Sequence, residues 1–167
     1  MATVSLSLDE IYKLANKTLL ANGCDQETAD ILSELITNAE RDGSLSHGLF
    51  RLPAYVSGLK SGKINGKQKP DIKKLTPSVI KADGKNCLAP VVLNKSIPEL
   101  VKAAKENGVA VLAIINSHHM AAMWPETEKI AEEGLVAFAC TSYKPAVAPA
   151  GAIKPLFGTN PISFAWP

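Results

Sequence analysis

A run of seven apolar residues, Val109 to Ile115, breaks off into Asn116-Ser117-His118-His119-Met120-Ala121-Ala122-Met123-Trp124-Pro125. Short, rich in β-branched residues and free of charge, the run predicts a strand buried on both faces. Pro125 suits the first turn of a helix that ends at Glu133-Gly134, and Leu135 to Cys140 reads as the next buried strand. Strand, helix and strand within about thirty residues have the size of a parallel crossover unit. Such a unit places the chain in the α/β class, whose sheets present ligand-contacting loops at the ends of buried strands. The loop 116–125 is therefore the first candidate for a ligand contact.

The residues upstream read as helices. Ser7-Leu8-Asp9-Glu10 has capping-box spacing, and the helix it opens ends at Asn22-Gly23. Asp25 caps a second helix, with Ala29, Leu32, Ile36 and Ala39 on one face and a stop at Asp42-Gly43. A third is expected from about Ser46 to Ser61. Residues 62–77 read as a polar connection, Ser78 to Ala82 as a strand and Asp83-Gly84 as a turn. Leu93, Ile97, Leu100, Val101 and Ala104 then recur at helical spacing up to Asn107-Gly108. Pro98 lies inside that pattern, so either the helix kinks or a new one starts at Ser96 with Glu99 closing its capping box. Gly158-Thr159-Asn160-Pro161 is a turn and Ile162 to Trp166 a strand. The expected organisation is a helical region with its connection, 1–77, and an α/β region, 78–167. The second region reads as incomplete, because the chain stops one residue after a strand, and a longer polypeptide is expected.

Composition removes other classes. A net charge of +2 argues for neither nucleic acid nor a membrane surface. Lys60, Lys63, Lys67, Lys69, Lys73 and Lys74 sit among Gly, Asn, Gln and Pro with no interleaved aromatic for base stacking, as in a solvated loop. Cys24, Cys87 and Cys140 are far apart and form no CxxC, so free thiols in a reducing compartment are expected. The N-terminus lacks the pattern of a signal peptide and no apolar run reaches the length of a membrane span, so a cytoplasmic location is expected.

On a helix begun at Ser46, residues His47, Arg51 and Tyr55 share one face, opposite Leu49, Leu52, Val56 and Leu59. Arginine holds a carboxylate by two parallel hydrogen bonds, and histidine exchanges protons near neutral pH. The same spacing also describes a plain surface row with a partly buried Tyr55. Ser46 beside His47 does not make a nucleophile pair on a helix, where neighbours point about 100° apart, and it serves equally as an N-cap. Adjacent histidines rarely share a metal and no HExxH occurs, so no metal is expected. One of these histidines bonded to a loop carbonyl is as good a reading. No GxGxxG follows a strand and no GxxxxGK[ST] occurs. Met120, Met123 and Trp124 suit core or a pocket wall.

Taken together, Ser46-His47-Gly48-x-x-Arg51-Leu52-Pro53-x-Tyr55, Asn116-Ser117-His118-His119 and Gly158-Thr159-Asn160-Pro161 resemble the malate/L-lactate dehydrogenase family, whose members lack a Rossmann fold. The form His118 to Pro125 is most similar to the Δ1-piperideine-2-carboxylate/Δ1-pyrroline-2-carboxylate reductase branch. Dehydrogenase members carry a glycine-richer loop there, from which Ala121-Ala122 departs. The resemblance implies a three-helix layer followed by part of a non-Rossmann mixed-sheet NAD(P)-binding domain. It implies His47 as proton donor with Ser46 assisting, Arg51 on the substrate carboxylate and a looser match of Thr141 to a substrate contact. It implies His119, Met120, Ala121, Ala122 and Met123 as a loop against NADPH, or NADH, and a homodimer. The implied reaction is reduction of a small cyclic imino acid, with a 2-hydroxy-acid dehydrogenase as the alternative. Members are longer than this chain, so about half of an active site is expected here, and a chain of this length that turns nothing over is the reading from another class.

Overall fold

The computed structural model describes residues 4–118 and 121–167. They fall into two compact units, Met1–Ala122 and Met123–Pro167.

The first unit opens with α1 (Leu8–Ala21) and α2 (Gln26–Arg41). Both start where local chemistry dictates. Ser7 Oγ accepts from the Glu10 N–H while the Glu10 carboxylate accepts from the Ser7 N–H at 2.8 Å, closing the capping box. Asp25 Oδ1 accepts from the Thr28 N–H at 2.9 Å. Ile11, Ala15 and Leu19 of α1 and Ala29, Leu32 and Ile36 of α2 form one core with Leu52, Tyr55, Leu88 and Val91.

The third helix is shorter than its spacing implied. Two single 3-10 turns, Leu45–His47 and Leu49–Arg51, precede α3, which covers only Leu52–Lys60. Pro53 is the reason on the sequence side. In a helix begun at Ser46 its ring would meet the Leu49 carbonyl, whereas near the start of α3 its missing N–H costs nothing. His47, Arg51 and Tyr55 therefore do not share a helix face. Tyr55 is 2% exposed and belongs to the core.

A mixed sheet follows, of β1 (Asp71–Thr76), β2 (Val79–Asp83) and β3 (Val111–Ile115) in that order. β1 runs antiparallel to β2, and β2 runs parallel to β3. Strand β1 lies inside the stretch expected as a polar connection; its lysines suit an edge strand, where charge discourages further pairing. α4 (Ala89–Asn107) connects β2 to β3, so the parallel crossover is β2–α4–β3. It was expected one step later, around 109–140. α4 runs unbroken through Pro98. Ser96 Oγ donates to the Val92 carbonyl at 2.8 Å, so no new helix is capped there. β3 is not buried on both faces. Leu112 and Ile114 pack on the small core of Ala82, Cys87 and Val92, while Val111 on the other face is 55% exposed.

The second unit contains α5 (Trp124–Ala131), β4 (Ala137–Cys140) and β5 (Ile162–Ala165). β4 and β5 form a separate antiparallel pair, and the Thr127 and Ser163 hydroxyls, 2.8 Å apart, join α5 to β5. β4 is not the buried strand its apolar run implied, since Phe138 is 63% exposed. Cys24 and Cys87 are buried and Cys140 exposed, all as free thiols. Among the described residues no helix is long and apolar enough to cross a membrane.

Glu126 on α5 is buried, and its Oε2 has no hydrogen-bond partner among the described residues. Burial pushes its carboxyl up to about 7, opposed by its own backbone N–H and by Lys129. Between 4.5, its ordinary value, and about 7 the folded chain keeps a proton that the unfolded chain has released. This group's contribution is thus present below that window and lost as pH rises through it, by about 3 kcal/mol. Glu126→Gln is expected to raise the urea midpoint at pH 8 and leave it nearly unchanged at pH 4. Equal shifts at both pH values would show that the carboxyl is not desolvated.

Candidate active site

The segment between α2 and α3 gathers the first group of expected site residues. The chain leaves α2 with the Ser44 N–H on the Ala39 carbonyl at 2.8 Å. His47 N–H then donates to Ser44 O, Gly48 N–H to Leu45 O and Arg51 N–H to Gly48 O, the i to i−3 bonds of two tight turns. The Leu49 N–H, which in an α-helix would reach the Leu45 carbonyl, donates instead to Glu40 Oε1 at 2.7 Å. Gly48 sits against the same carboxylate, and a Cβ there would overlap it.

This turn changes the relation of Ser46 to His47. On an α-helix they would diverge; here Ser46 Oγ lies 3.0 Å from His47 Nδ1, and Ser44 Oγ lies 3.3 Å from the same nitrogen. Two hydroxyls within hydrogen-bond reach of Nδ1 orient the ring. Burial, and then the positive charge of Arg51, hold His47 below the ordinary histidine range. The imidazole is thus neutral at pH 7. Arg51 is half-buried, and its Nε has no hydrogen-bond partner among the described residues. Its guanidinium carbon lies 5.9 Å from the ring centre of Phe50, which is exposed. A buried guanidinium N–H without an acceptor is costly, and an incoming carboxylate supplies the acceptor.

The loop after β3 is laced to the turn after β2. Gly84 N–H donates to Ile115 O, Asn86 N–H to Asn116 O and His118 N–H to Cys87 O, while His118 O accepts from Ala89 N–H at 2.9 Å. The His118 main chain thus extends β3 beside the start of α4. Asn116 and Ala121 are left-handed, with φ of 51° and 55°. Alanine is strained there by about 1–2 kcal/mol, where glycine would be relaxed. His119 and Met120 lie outside the described residues. Ala122 and Met123 are buried, and Met123 is the N-cap of α5.

In the second unit, Thr141 N–H donates to Pro161 O at 3.3 Å and its hydroxyl points to the Ser142 carbonyl. Asn160 Oδ1 accepts from Tyr143 N–H at 2.9 Å, and a Cβ on Gly158 would overlap the Tyr143 carbonyl. The Gly158–Pro161 turn therefore braces the chain that leaves β4 at Thr141. Among the described residues no group of three His, Cys, Asp or Glu could hold a metal ion.

These motifs have counterparts. A family model described as malate/L-lactate dehydrogenase matches residues 6–167. The chain belongs to this family. It is 43% identical over 164 residues to a Delta(1)-pyrroline-2-carboxylate reductase of Ancylobacter novellus, covering 98% of this chain and 48% of that protein. It is 38% identical over 162 residues to a (2R)-3-sulfolactate dehydrogenase (NADP(+)) of Chromohalobacter salexigens, covering 97% and 48%. The crystal structure of delta1-piperideine-2-carboxylate reductase from Pseudomonas syringae superposes with a TM-score of 0.91 at 41% identity, covering 99% of this chain and 50% of that one. The chain spans about half the length of these relatives. The mixed α/β fold is that of the family.

Ser46, His47 and Arg51 stand together in the first unit, where Ala121 and Ala122 also lie; Met123 and Thr141 belong to the second. Sequence spacing missed Ser44 and Glu40. A hydroxyl three residues before His47 was the available signal for Ser44. No spacing rule flags Glu40, which meets the turn only after it folds back. Replacing Arg51 by Gln is expected to raise the His47 titration midpoint, with burial still holding it below an unperturbed histidine, as followed by ring-proton NMR. An unchanged midpoint would separate the two side chains.

Proposed function

We propose that the protein carrying this chain reduces the C=N bond of a small cyclic imino acid, with the carboxylate next to the imine carbon held by Arg51. The observation that carries this reading is the buried Nε of Arg51, without a partner among the described residues, next to an oriented His47. The similarity to reductases of pyrroline- and piperideine-2-carboxylate supports the substrate class.

The chain's residues divide the work. Arg51 binds the carboxylate and so aims the ring carbon beside it. As a hydride adds at that carbon, the C=N π pair moves to nitrogen, which takes a proton. Protonated in the complex, His47 would give a ring proton to the substrate nitrogen and return to neutral imidazole. A bound carboxylate offsets the charge of Arg51 and lets His47 hold a proton more readily in the complex. Ser46 keeps the ring in register. We assign Thr141 to the substrate as well.

A nicotinamide cofactor would supply the hydride. The loop that would face it is His119, Met120, Ala121, Ala122 and Met123. In the described part of this loop Ala121 is half-buried while Ala122 and Met123 are buried, so Ala121 is the position that would meet the flat end of such a cofactor. No phosphate cradle occurs among the described residues at the end of β3. NADPH is the form proposed ahead of NADH, in line with the NADP(+) named for the sulfolactate dehydrogenase relative. A homodimer and a cytoplasmic location complete the proposal.

Purified protein with NADPH is expected to reduce Δ1-piperideine-2-carboxylate and Δ1-pyrroline-2-carboxylate faster than pyruvate or oxaloacetate. Arg51→Ala is expected to lower kcat/KM by about 2–5 kcal/mol in transition-state binding. Faster turnover of the oxo acids would make the protein a 2-hydroxy-acid dehydrogenase. Native kinetics in Arg51→Ala would remove Arg51 from the site.

A further inference from the structure

We propose that Glu40 is the positioning residue of this site. Its carboxylate, reaching from the last turn of α2, sets the direction of the 45–51 turns and with them His47 and Arg51. This rests on the reading of those two side chains as substrate groups.

Three observations meet at the same carboxylate. Glu40 Oε1 accepts from the Leu49 N–H at 2.7 Å, across nine residues, at the junction between the two tight turns. Gly48, between the two turns, has no room for a Cβ because the Glu40 carboxylate fills that space. The Ser44 N–H bonded to Ala39 O ties the start of the segment to the residue next to Glu40. α2 is itself fixed by the core through Leu32, Ile36 and Ala39. The carboxylate thus transmits a rigid helix to a segment without regular helical bonding. His47 precedes Gly48 by one residue and Arg51 follows Leu49 by two, so a swing at 48–49 displaces both.

What acts here is the position of an oxygen acceptor, not a negative charge, and two near-isosteric variants separate these. Glu40→Gln keeps an amide oxygen at the same reach. Glu40→Asp keeps the charge and withdraws the acceptor by one methylene. In the ligand-free protein, ring-proton NMR is expected to show the native His47 titration in Glu40→Gln. In Glu40→Asp it is expected to move toward the ordinary histidine range as the turn opens. Ser33→Ala removes a buried bond from Ser33 Oγ to the Ala29 carbonyl elsewhere in α2, so it should lower Tm without moving His47. In turnover, Glu40→Asp is expected to lose about 10- to 100-fold in kcat/KM, with KM and kcat both affected because Arg51 and His47 shift together. Glu40→Gln is expected to stay near native.

Impairment of Glu40→Gln would assign a role to the charge and overturn the proposal, as would native behaviour of both variants. The NMR readout stands without turnover. If His47 follows the expected pattern while native protein reduces no imine, the substrate reading fails and the positioning role survives.

Discussion

The burial of Leu52 and Tyr55 against α1 and α2 is the constraint on which the site depends. Both side chains belong to the main core, packed with Ile11, Leu19, Leu32 and Ile36. Their anchoring fixes where α3 begins and which way it faces. Arg51 is the residue immediately before that anchor, so its backbone is pinned and its side chain leaves from the rim of the core. The ten residues from Asp42 to Arg51 must then bridge two fixed helices. They do so in two 3-10 turns that bring the Ser44 and Ser46 hydroxyls onto one nitrogen of His47. Core packing thus supplies what a loop lacks, a defined direction for an imidazole and a guanidinium.

The same geometry explains the electrostatics. The Nε of Arg51 is buried without a hydrogen-bond partner among the described residues, and the charge of the side chain is felt at His47. A buried guanidinium Nε–H without an acceptor among the described residues, next to a neutral imidazole, is a poor arrangement for stability alone. It becomes reasonable when a carboxylate completes it. Ala121 tells a similar story at lower cost. An alanine in the left-handed region, in a loop where dehydrogenase members were expected to carry glycine, is strain kept at a candidate ligand contact.

Much of this was legible in the chain because much of it is local. The Ser7–Glu10 box, the Asp25 cap and the stops at Gly23, Gly43 and Gly108 each depend on residues within a few positions of one another. The family motifs pointed to His47 and Arg51 before any geometry was known. What was not legible is non-local. The run 109–115 shows that a strand exists but not which strand pairs with it, so the crossover was placed after β3 when it precedes it. The lysine-rich β1 carries the composition of a loop because it is an edge. His47, Arg51 and Tyr55 have perfect helical spacing, and only Pro53 hints that the helix starts later. The bond from Leu49 to Glu40 exists because the turn folds back, and no residue pattern announces it.

The central claim is the proposal that the buried Nε–H of half-buried Arg51 pairs with a substrate carboxylate. Pyrrole-2-carboxylate, a planar and unreactive analogue of the proposed substrates, can be titrated into protein with 15N-labelled arginine. The Nε–H resonance of Arg51 is expected to move strongly downfield and to exchange more slowly with water as the acceptor arrives. Binding that leaves the Arg51 signal in place while perturbing other arginines would contradict the claim.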